Sequence, residues 1–253
     1  MVTTQHRNGQ TIKTHLVEPR SVILHDKKKG CDIEFTILDY EGVVGPSSMT
    51  LARGKLMMDR RLEFLSNKTG VPMSDIKGFS KELLDAYNTD SIGYALQMKY
   101  GIPVSEFIAY VFEPEIPRIR KEIETMRDPA QIALIASLKT ELAILSNTAT
   151  IYVQTGLEAQ GLATYFKYVI GMESLATAGF SKPQLGAYTE ILRIIKGTAD
   201  KALYADDNPK NLVMPKRLGM TTVYIGEQNV EKYDATIDYK FPSLNEAVNA
   251  LRS

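Results

Sequence analysis

The amino-acid sequence predicts an α/β protein with a parallel sheet core and an all-helical insertion. Residues 33–38 are a run of β-forming side chains, residues 47–127 show helical periodicity, and helices and strands alternate from Asp128 onward. Alternation of this kind favours a parallel sheet with helices on both faces, because each crossover between parallel strands is usually a helix. The 253 residues suffice for one such domain carrying an insertion.

The first 30 residues precede this pattern, so we predict an N-terminal extension over residues 1–30. One short strand is expected at residues 21–24, before a lysine-rich turn that ends at Gly30. Residues 33–38 come next, and their β-branched and aromatic side chains predict the first buried strand of the core. That strand would deliver Asp39 to a loop.

Residues 47–127 contain apolar side chains at helical spacing, for example Leu83, Leu84 and Tyr87, and glycine and proline interrupt them. We expect several short helices and no strand there. The predicted organisation is therefore an all-α cap at residues 47–127 and an α/β core at residues 31–46 and 128–253.

The sequence after Asp128 predicts alternating helices and strands. Ligands of parallel sheets bind beyond the carboxyl ends of the strands. Asp39, Ser146 and the pair Asp206 and Asp207 each directly follow a predicted strand, so we expect them at one edge of the sheet, with the cap above it as a lid. The predicted helices cover residues 130–138, 149–160, 184–195 and 209–218, and the predicted strands cover residues 141–145, 202–205 and 221–225.

The composition is that of an ordinary globular protein, with 30 basic and 30 acidic residues. A balanced charge supplies no field that attracts a polyanion, so we predict no nucleic-acid polymer and no membrane as partner. The lone Cys31 and the clustering of all histidines before Asp26 exclude a disulfide framework and a zinc site of the Cys/His type. We predict a cytoplasmic protein; the sequence carries no signal for an oligomeric state.

Asp39 and Glu41 lie in an Asp-x-Glu-Gly turn after the first core strand. Alone, this turn is typical of ordinary loop chemistry. In a functional interpretation, the Asp39 carboxylate is a nucleophile for phosphorus, which requires a metal and a cation that neutralise the charge of the phosphate.

Asp206 and Asp207 supply further carboxylate oxygens, which are the hard ligands that Mg²⁺ prefers. With Asp39 and Glu41 they are the candidate metal residues. The alternative is a helix cap, with Asn208 at the N-cap and Pro209 at the first helical position. A cap needs only one such residue, so the second carboxylate favours a metal.

Lys182 stands at a predicted helix entrance, where a lysine is usually just solvated. As a site cation it would hold the phosphoryl group and keep Asp39 ionised. Ser146 and Asn147 are candidates for phosphate binding through the hydroxyl and backbone amides, although this pair is also compatible with an ordinary turn. The fixed order of all these segments favours one active site for phosphoryl transfer.

These residues make the chain resemble the haloacid dehalogenase-like hydrolase superfamily over residues 33–225, through Asp39, Ser146, Lys182 and the Asp206 and Asp207 pair. The resemblance implies a Rossmann-like core, a phosphatase and an aspartyl-phosphate on Asp39. It also implies Mg²⁺ bound by Asp39, the backbone carbonyl of Glu41 and Asp207. The segments 145–149, 161–166 and 206–212, with the helical insertion, resemble the pyrimidine 5′-nucleotidase branch. The implied substrate is a small phosphorylated metabolite, with a nucleoside 5′-monophosphate as one candidate.

Glu41 departs from the family pattern, which has an aspartate at this position. The added methylene moves the carboxyl by roughly 1 Å, and a misplacement of that size can cost about a hundredfold in rate. We expect Glu41 to act as general acid and base.

The departure leaves a second interpretation open: a weak or inactive relative that binds a phosphorylated ligand or a protein partner. A dehalogenase, which needs no metal, is the interpretation that the Asp206 and Asp207 pair disfavours. Candidate lid contacts to the substrate are Arg53, Tyr87, Tyr94 and Gln97.

Overall fold

The computed structural model describes residues 2–7, 10–15, 23–26, 28–47, 51 and 54–252. The strands are β1 (Val2–Arg7), β2 (Gln10–His15), β3 (His25–Asp26), β4 (Cys31–Asp32), β5 (Phe35–Leu38), β6 (Glu141–Leu145), β7 (Phe166–Ile170), β8 (Ala202–Asp206), β9 (Thr221–Ile225) and β10 (Tyr239–Phe241). The α-helices are α1 (Gly54–Thr69), α2 (Ile76–Ala86), α3 (Ile92–Tyr100), α4 (Val104–Val111), α5 (Ile116–Glu124), α6 (Pro129–Ser137), α7 (Thr150–Gln160), α8 (Met172–Thr177), α9 (Leu185–Ile195), α10 (Val213–Leu218) and α11 (Leu244–Leu251).

Strands β5 to β10 form one sheet in the order β10-β9-β8-β5-β6-β7, and every pair in it is parallel. This confirms the predicted α/β class with a Rossmann-like parallel sheet. Strand β5 lies in the middle, and its last residue Leu38 pairs with Ile144 of β6 and Ala205 of β8. The residues that follow β5 and β6 and those at the end of β8 therefore meet at one edge of the sheet.

Both faces of the sheet are covered by helices, as expected for a parallel sheet. Successive residues of β5 point to opposite faces. Leu38 belongs to a large apolar cluster that includes side chains of α7 and α11. Ile37 belongs to a second cluster, on the opposite face, with side chains of α9. The central strand is consequently buried on both sides.

Helices α1 to α4 lie between β5 and the rest of the core in the chain and pack on one another. Phe107 of α4 contacts Phe64 of α1 edge-on, with ring centroids 5.5 Å apart. This confirms an all-helical insertion after the first core strand. The predicted division at residues 30, 46 and 127 stays a prediction.

The extension was expected to hold one strand at residues 21–24, of which residues 21 and 22 lie outside the described part of the chain. The antiparallel hairpin of β1 and β2 and the strand β3, which begins at His25, were not predicted. Two details of the core prediction were wrong. The predicted helix 209–218 is a turn of 3-10 helix at Pro209–Leu212 followed by the short α10, and β8 extends to Asp206.

Strands β7 and β10 and helices α8 and α11 were not predicted. Both strands lie at the edges of the sheet, where half-exposed side chains hide the alternation that marks a strand. Within the described residues, no helix combines the length and the apolar character needed to cross a bilayer.

Candidate active site

Asp39 directly follows β5 at the carboxyl edge of the sheet, and the residue is only 8% exposed. Its Oδ1 atom accepts a hydrogen bond from the backbone amide of Tyr40 at 2.7 Å. The same oxygen lies 3.0 Å from Nζ of Lys182. The predicted nucleophile and the predicted cation are thus in direct contact.

Lys182 is 1% exposed and lies in the loop before α9. Its ammonium group contacts Oδ1 of Asp39 and, at 2.9 Å, Oδ2 of Asp206. Burial by itself would lower the pKa of Lys182, but the carboxylates of Asp206, Asp39 and Asp90 together raise it above the ordinary value. The lysine is therefore a fixed buried cation at neutral pH.

Asp206 ends β8 and is fully buried. Its Oδ2 atom also accepts a hydrogen bond from the hydroxyl of Tyr204 at 2.5 Å. Its Oδ1 atom accepts from the backbone amide of Asn208, at 2.8 Å, and Asn211 Nδ2 donates to both oxygens. The carboxylate is saturated with donors, so its evident role in this geometry is to hold Lys182.

The helix-cap interpretation of this segment is also correct, because the Asn208 side chain accepts from the amide of Lys210 and Pro209 follows it. Asp207 takes no part in that cap and lies partly exposed beside the cluster. Loss of solvent around the carboxyl, and then the charges of Asp206 and Glu41, raise the pKa of Asp207 to about 6, although Lys182 opposes the shift.

Gly42 makes room for Asp207. Its φ angle is +76°, and a Cβ atom at this position would lie 2.1 Å from Oδ2 of Asp207. A glycine in the loop after β5 is therefore needed both for the backbone conformation and for the close approach of the carboxylate.

The carboxylates fit a divalent cation. Asp39, Asp206 and Asp207 each offer an oxygen, and these oxygens lie within 4.8 Å of one another. Burial raises the pKa of Asp39 well above its usual range, and Asp206 and Asp207 raise it further, against the effect of Lys182. Three carboxylates facing one ammonium group leave an excess of negative charge that a bound Mg²⁺ would neutralise. Asp39 and Asp207 are the carboxylates with oxygens left for it.

Glu41 does not join this cluster through its carboxylate in the described part of the chain. Its Oε2 atom instead accepts a hydrogen bond from the hydroxyl of Thr148. Ser146 is buried, and the Ser146 hydroxyl accepts a hydrogen bond from the backbone amide of Thr148 at 3.3 Å. Sequence analysis did not single out the Thr148 side chain; its position two residues after Ser146, in the loop after β6, was the available signal.

Asn147 uses its side chain to join loops. Its Oδ1 atom accepts from the hydroxyl of Ser181 and the amide of Lys182, both at 3.0 Å. Its Nδ2 atom donates to the carbonyl of Lys182 at 2.9 Å and to the carboxylate of Asp90. The side chain is occupied, so binding of phosphate by Asn147 stays a prediction for its backbone amide.

A family model described as haloacid dehalogenase-like hydrolase matches residues 103–225. This match includes strands β6 to β9 and three of the four predicted motifs. Over this segment, which is just under half of its length, the chain resembles the haloacid dehalogenase-like hydrolases. No curated protein resembles it closely enough in sequence to count as a relative.

Solved structures of this family share the fold of the chain. A β-phosphoglucomutase from Clostridium difficile has a TM-score of 0.59 at 13% identity, with 85% of this chain and 92% of that chain covered. A HAD phosphatase from Thermococcus onnurineus has a TM-score of 0.53 at 19% identity, with coverages of 87% and 98%. An L-2-haloacid dehalogenase from Xanthobacter autotrophicus has a TM-score of 0.50 at 15% identity, with coverages of 86% and 97%.

The carboxylate cluster opens into a cavity of about 420 Å³ between the sheet edge and the helical insertion. The residues of the described insertion that line it come from α1, α2, α3, α4 and the loop before α3. They are Met58, Arg61, Ser80, Leu84, Asp90, Ser91, Ile92 and Phe107.

Tyr87, Tyr94 and Gln97, three of the predicted lid contacts, are not among the residues that line this cavity. The Tyr94 hydroxyl donates to the carbonyl of Gly179 and to Oε1 of Gln184, each at 3.1 Å, and Gln97 Nε2 donates to a core carbonyl. The carbonyl of Tyr87 accepts from Gln184 Nε2 at 2.7 Å. These residues connect the insertion to the α/β core, and Arg53 lies outside the described residues.

Proposed function

We propose that the protein is a Mg²⁺-dependent phosphatase that hydrolyses a small phosphorylated metabolite, with a nucleoside 5′-monophosphate as one candidate. The observation that carries the proposal is the buried ammonium of Lys182, shared between Asp39 and Asp206 at the floor of a cavity. A carboxylate attacks a phosphate dianion only where cations offset the mutual repulsion. This site has one fixed cation and carboxylates that suit a second.

In the first step, an oxygen of Asp39 forms a bond to phosphorus while the bond from phosphorus to the ester oxygen breaks. Glu41 gives its proton to the departing oxygen, and Lys182 and the Ser146 hydroxyl bind the phosphoryl oxygens. Mg²⁺, held by Asp39 and Asp207 when bound, neutralises the charge that builds up on the phosphoryl group.

In the second step, Glu41 removes a proton from a water molecule, which attacks phosphorus and breaks the bond to Asp39. Inorganic phosphate leaves and the aspartate is regenerated. Thr148 is the residue positioned to orient Glu41 in both steps, through its hydrogen bond to the carboxylate.

The test is a screen of phosphorylated metabolites with Mg²⁺, using Asp39→Asn as the blank. We expect the parent protein to release phosphate and to form an acid-stable phosphoenzyme with labelled substrate, and Asp39→Asn to do neither. Label on another residue would reject the assignment of the nucleophile. Phosphate release that survives EDTA would reject the dependence on Mg²⁺.

A weak or inactive binder is the second candidate, and Glu41 is the observation that favours it. Glu41→Gln and Glu41→Asp distinguish the two. If Glu41 is the acid and base, Gln loses turnover by about a hundredfold or more and Asp retains it. Binding of phosphorylated ligands without turnover by the parent protein would establish the binder instead.

A further inference from the structure

Arg61 of α1 lines the cavity, yet it forms no ion pair with any carboxylate in the described part of the chain. Its Nε atom is buried and makes no hydrogen bond. Among the residues that the structure describes, none accepts a hydrogen bond from Arg61 or forms an ion pair with it. Its guanidinium carbon lies 5.4 Å from the ring centroid of Phe112, which is a cation–π contact.

The neighbouring Arg60, on the same helix, is an arginine with structural contacts and serves as a comparison. The Nε atom of Arg60 is also buried without a hydrogen-bond partner among the described residues, but its Nη atoms have partners: Arg60 donates to the carbonyl of Tyr110 at 3.1 Å and lies 3.5 Å from the carboxylate of Glu115. Arg61 has no such partner among the described residues, and guanidinium donors without acceptors destabilise a protein. Its position at a cavity wall is therefore best explained by a ligand that completes it.

Arg61 and Lys182 are the two cationic residues among those that line the described cavity. Lys182 is already shared between two carboxylates. Arg61 is consequently the cation that remains for a second negative group. Near the floor, Glu41 and Asp90 would repel such a group and direct it toward the guanidinium.

The helical insertion also contributes apolar side chains to the lining of this cavity. Met58, Ile92 and Phe107 are among them, and they suit a hydrocarbon or aromatic stem. A planar guanidinium binds carboxylate or phosphoryl oxygens in pairs, with a geometry that a neutral carbonyl does not match.

We propose that Arg61 selects phosphomonoesters that carry a second anionic group, a carboxylate or a tetrahedral oxyanion, on an apolar stem. This inference rests on the proposed phosphatase function, because it assigns the phosphoryl group to the floor of the cavity. It distinguishes such substrates from nucleoside monophosphates, whose bases are uncharged at neutral pH.

The test compares 4-carboxyphenyl phosphate with its neutral counterpart 4-carbamoylphenyl phosphate, with 4-sulfophenyl phosphate as the tetrahedral anion. We expect KM for at least one of the two anionic probes to lie about tenfold or more below that for the neutral probe. Arg61→Gln should raise KM for that anionic probe about ten- to a hundredfold and leave kcat and the neutral probe within about twofold. Arg61→Lys should recover part of the preference.

Lys55→Gln is the matched control, because Lys55 is an exposed residue of the same helix and the change removes the same charge. It should behave as the parent protein, and thermal melting of each variant establishes that it is folded. Equal KM values for all three probes in the parent, or an equal loss for charged and neutral probes in Arg61→Gln, would overturn the role of Arg61 while the phosphatase function stands.

Failure to turn over any probe would instead remove the proposed function. In that case, calorimetry with Mg²⁺ present compares the affinities for 4-carboxybenzylphosphonate and benzylphosphonate. The comparison tests whether Arg61 binds the second anionic group. A preference for the carboxylated phosphonate that Arg61→Gln abolishes supports the site. No preference rejects it.

Discussion

At the scale of single residues, the hydrogen bond from Thr148 fixes the position of the Glu41 carboxyl. Its carboxyl stands one methylene further from the backbone than that of an aspartate, and Thr148 donates a hydrogen bond to it. Ser146 accepts from the amide of the same threonine, so the loop after β6 contacts the Glu41 carboxylate and also fixes the Ser146 hydroxyl. The longer side chain thus has a fixed partner in this protein.

Replacing Thr148 by valine should lower kcat about tenfold, because the Glu41 carboxyl loses the hydrogen bond that orients it. Steady-state kinetics over pH 5 to 9 is the measurement. KM should change little, and Thr148→Ser, which keeps a hydroxyl, should recover most of the rate. An unchanged kcat in Thr148→Val would show that Glu41 needs no such support.

Asp207 gives the site a pH dependence. Its pKa of about 6 means that the metal-free folded protein binds a proton at this carboxyl more tightly than the unfolded chain does. A folded-state pKa above the unfolded value contributes stability below about pH 4. This contribution is lost as the pH rises through about 6. Mg²⁺ requires the ionised form, so protons and metal compete for the residue.

We therefore expect the affinity for Mg²⁺ to fall below pH 6, by up to about tenfold per pH unit. Titration calorimetry between pH 5 and 8 measures it. In EDTA, Asp207→Asn should flatten the decline of the melting temperature between pH 4 and 7. Identical pH profiles for the parent and Asp207→Asn would show that another group controls the metal.

At the scale of elements, the loop after β5 determines how closely the Asp207 carboxylate can approach Asp39. Its chain folds back at Gly42, whose amide donates to the carbonyl of Gly45 at 3.0 Å. This turn brings the Gly42 backbone against Asp207, from the loop after β8. Neighbouring strands of one sheet thus place two loops in van der Waals contact, and the metal residues lie where the loops meet.

Gly42→Ala tests this contact, because the new methyl group would both strain the backbone and displace Asp207. We expect a loss of about 1 to 2 kcal/mol in the free energy of unfolding, and a fall in Mg²⁺ affinity of about tenfold or more. Urea unfolding and calorimetry measure the two effects.

Gly30→Ala is the matched control, since Gly30 has a φ of +66° with no atom within 4 Å of an added Cβ. Gly30→Ala should lower the free energy of unfolding by a similar amount and leave the Mg²⁺ affinity unchanged. Equal Mg²⁺ affinities in Gly42→Ala and Gly30→Ala would contradict the importance of the contact.

At the scale of the whole molecule, polar contacts fasten the helical insertion to the core beside Lys182. Tyr94 bonds to Gly179 and Gln184, and the Thr89 and Ser181 hydroxyls lie 2.5 Å apart. Asn147 and Asp90 add a further link. The loop that carries Lys182 is thereby held between the insertion and the sheet, which couples the position of the cation to the closure of the cavity.

Tyr94→Phe removes two of these hydrogen bonds and keeps the ring. We expect about 1 kcal/mol less stability at this contact, hence about fivefold faster amide exchange in α3 and in residues 178–184. Mass-detected hydrogen exchange is the measurement. Tyr100→Phe, at the exposed end of the same helix, should change nothing; equal exchange in both variants would show that Tyr94 does not fasten the insertion.

The sequence by itself determined four strands of the sheet, β5, β6, β8 and β9, and the residues at their carboxyl ends. Asp39, Ser146 and Asp206 could be placed because side-chain periodicity marks these strands, and parallel strands end at one edge. Only the tertiary structure shows the partners of the side chains: Asp206 contacts Lys182, Thr148 donates to Glu41, and Arg61 lines the cavity without an ion pair to a described residue. Periodicity is a local property of the chain, whereas these contacts join segments far apart in sequence and depend on how the helices pack.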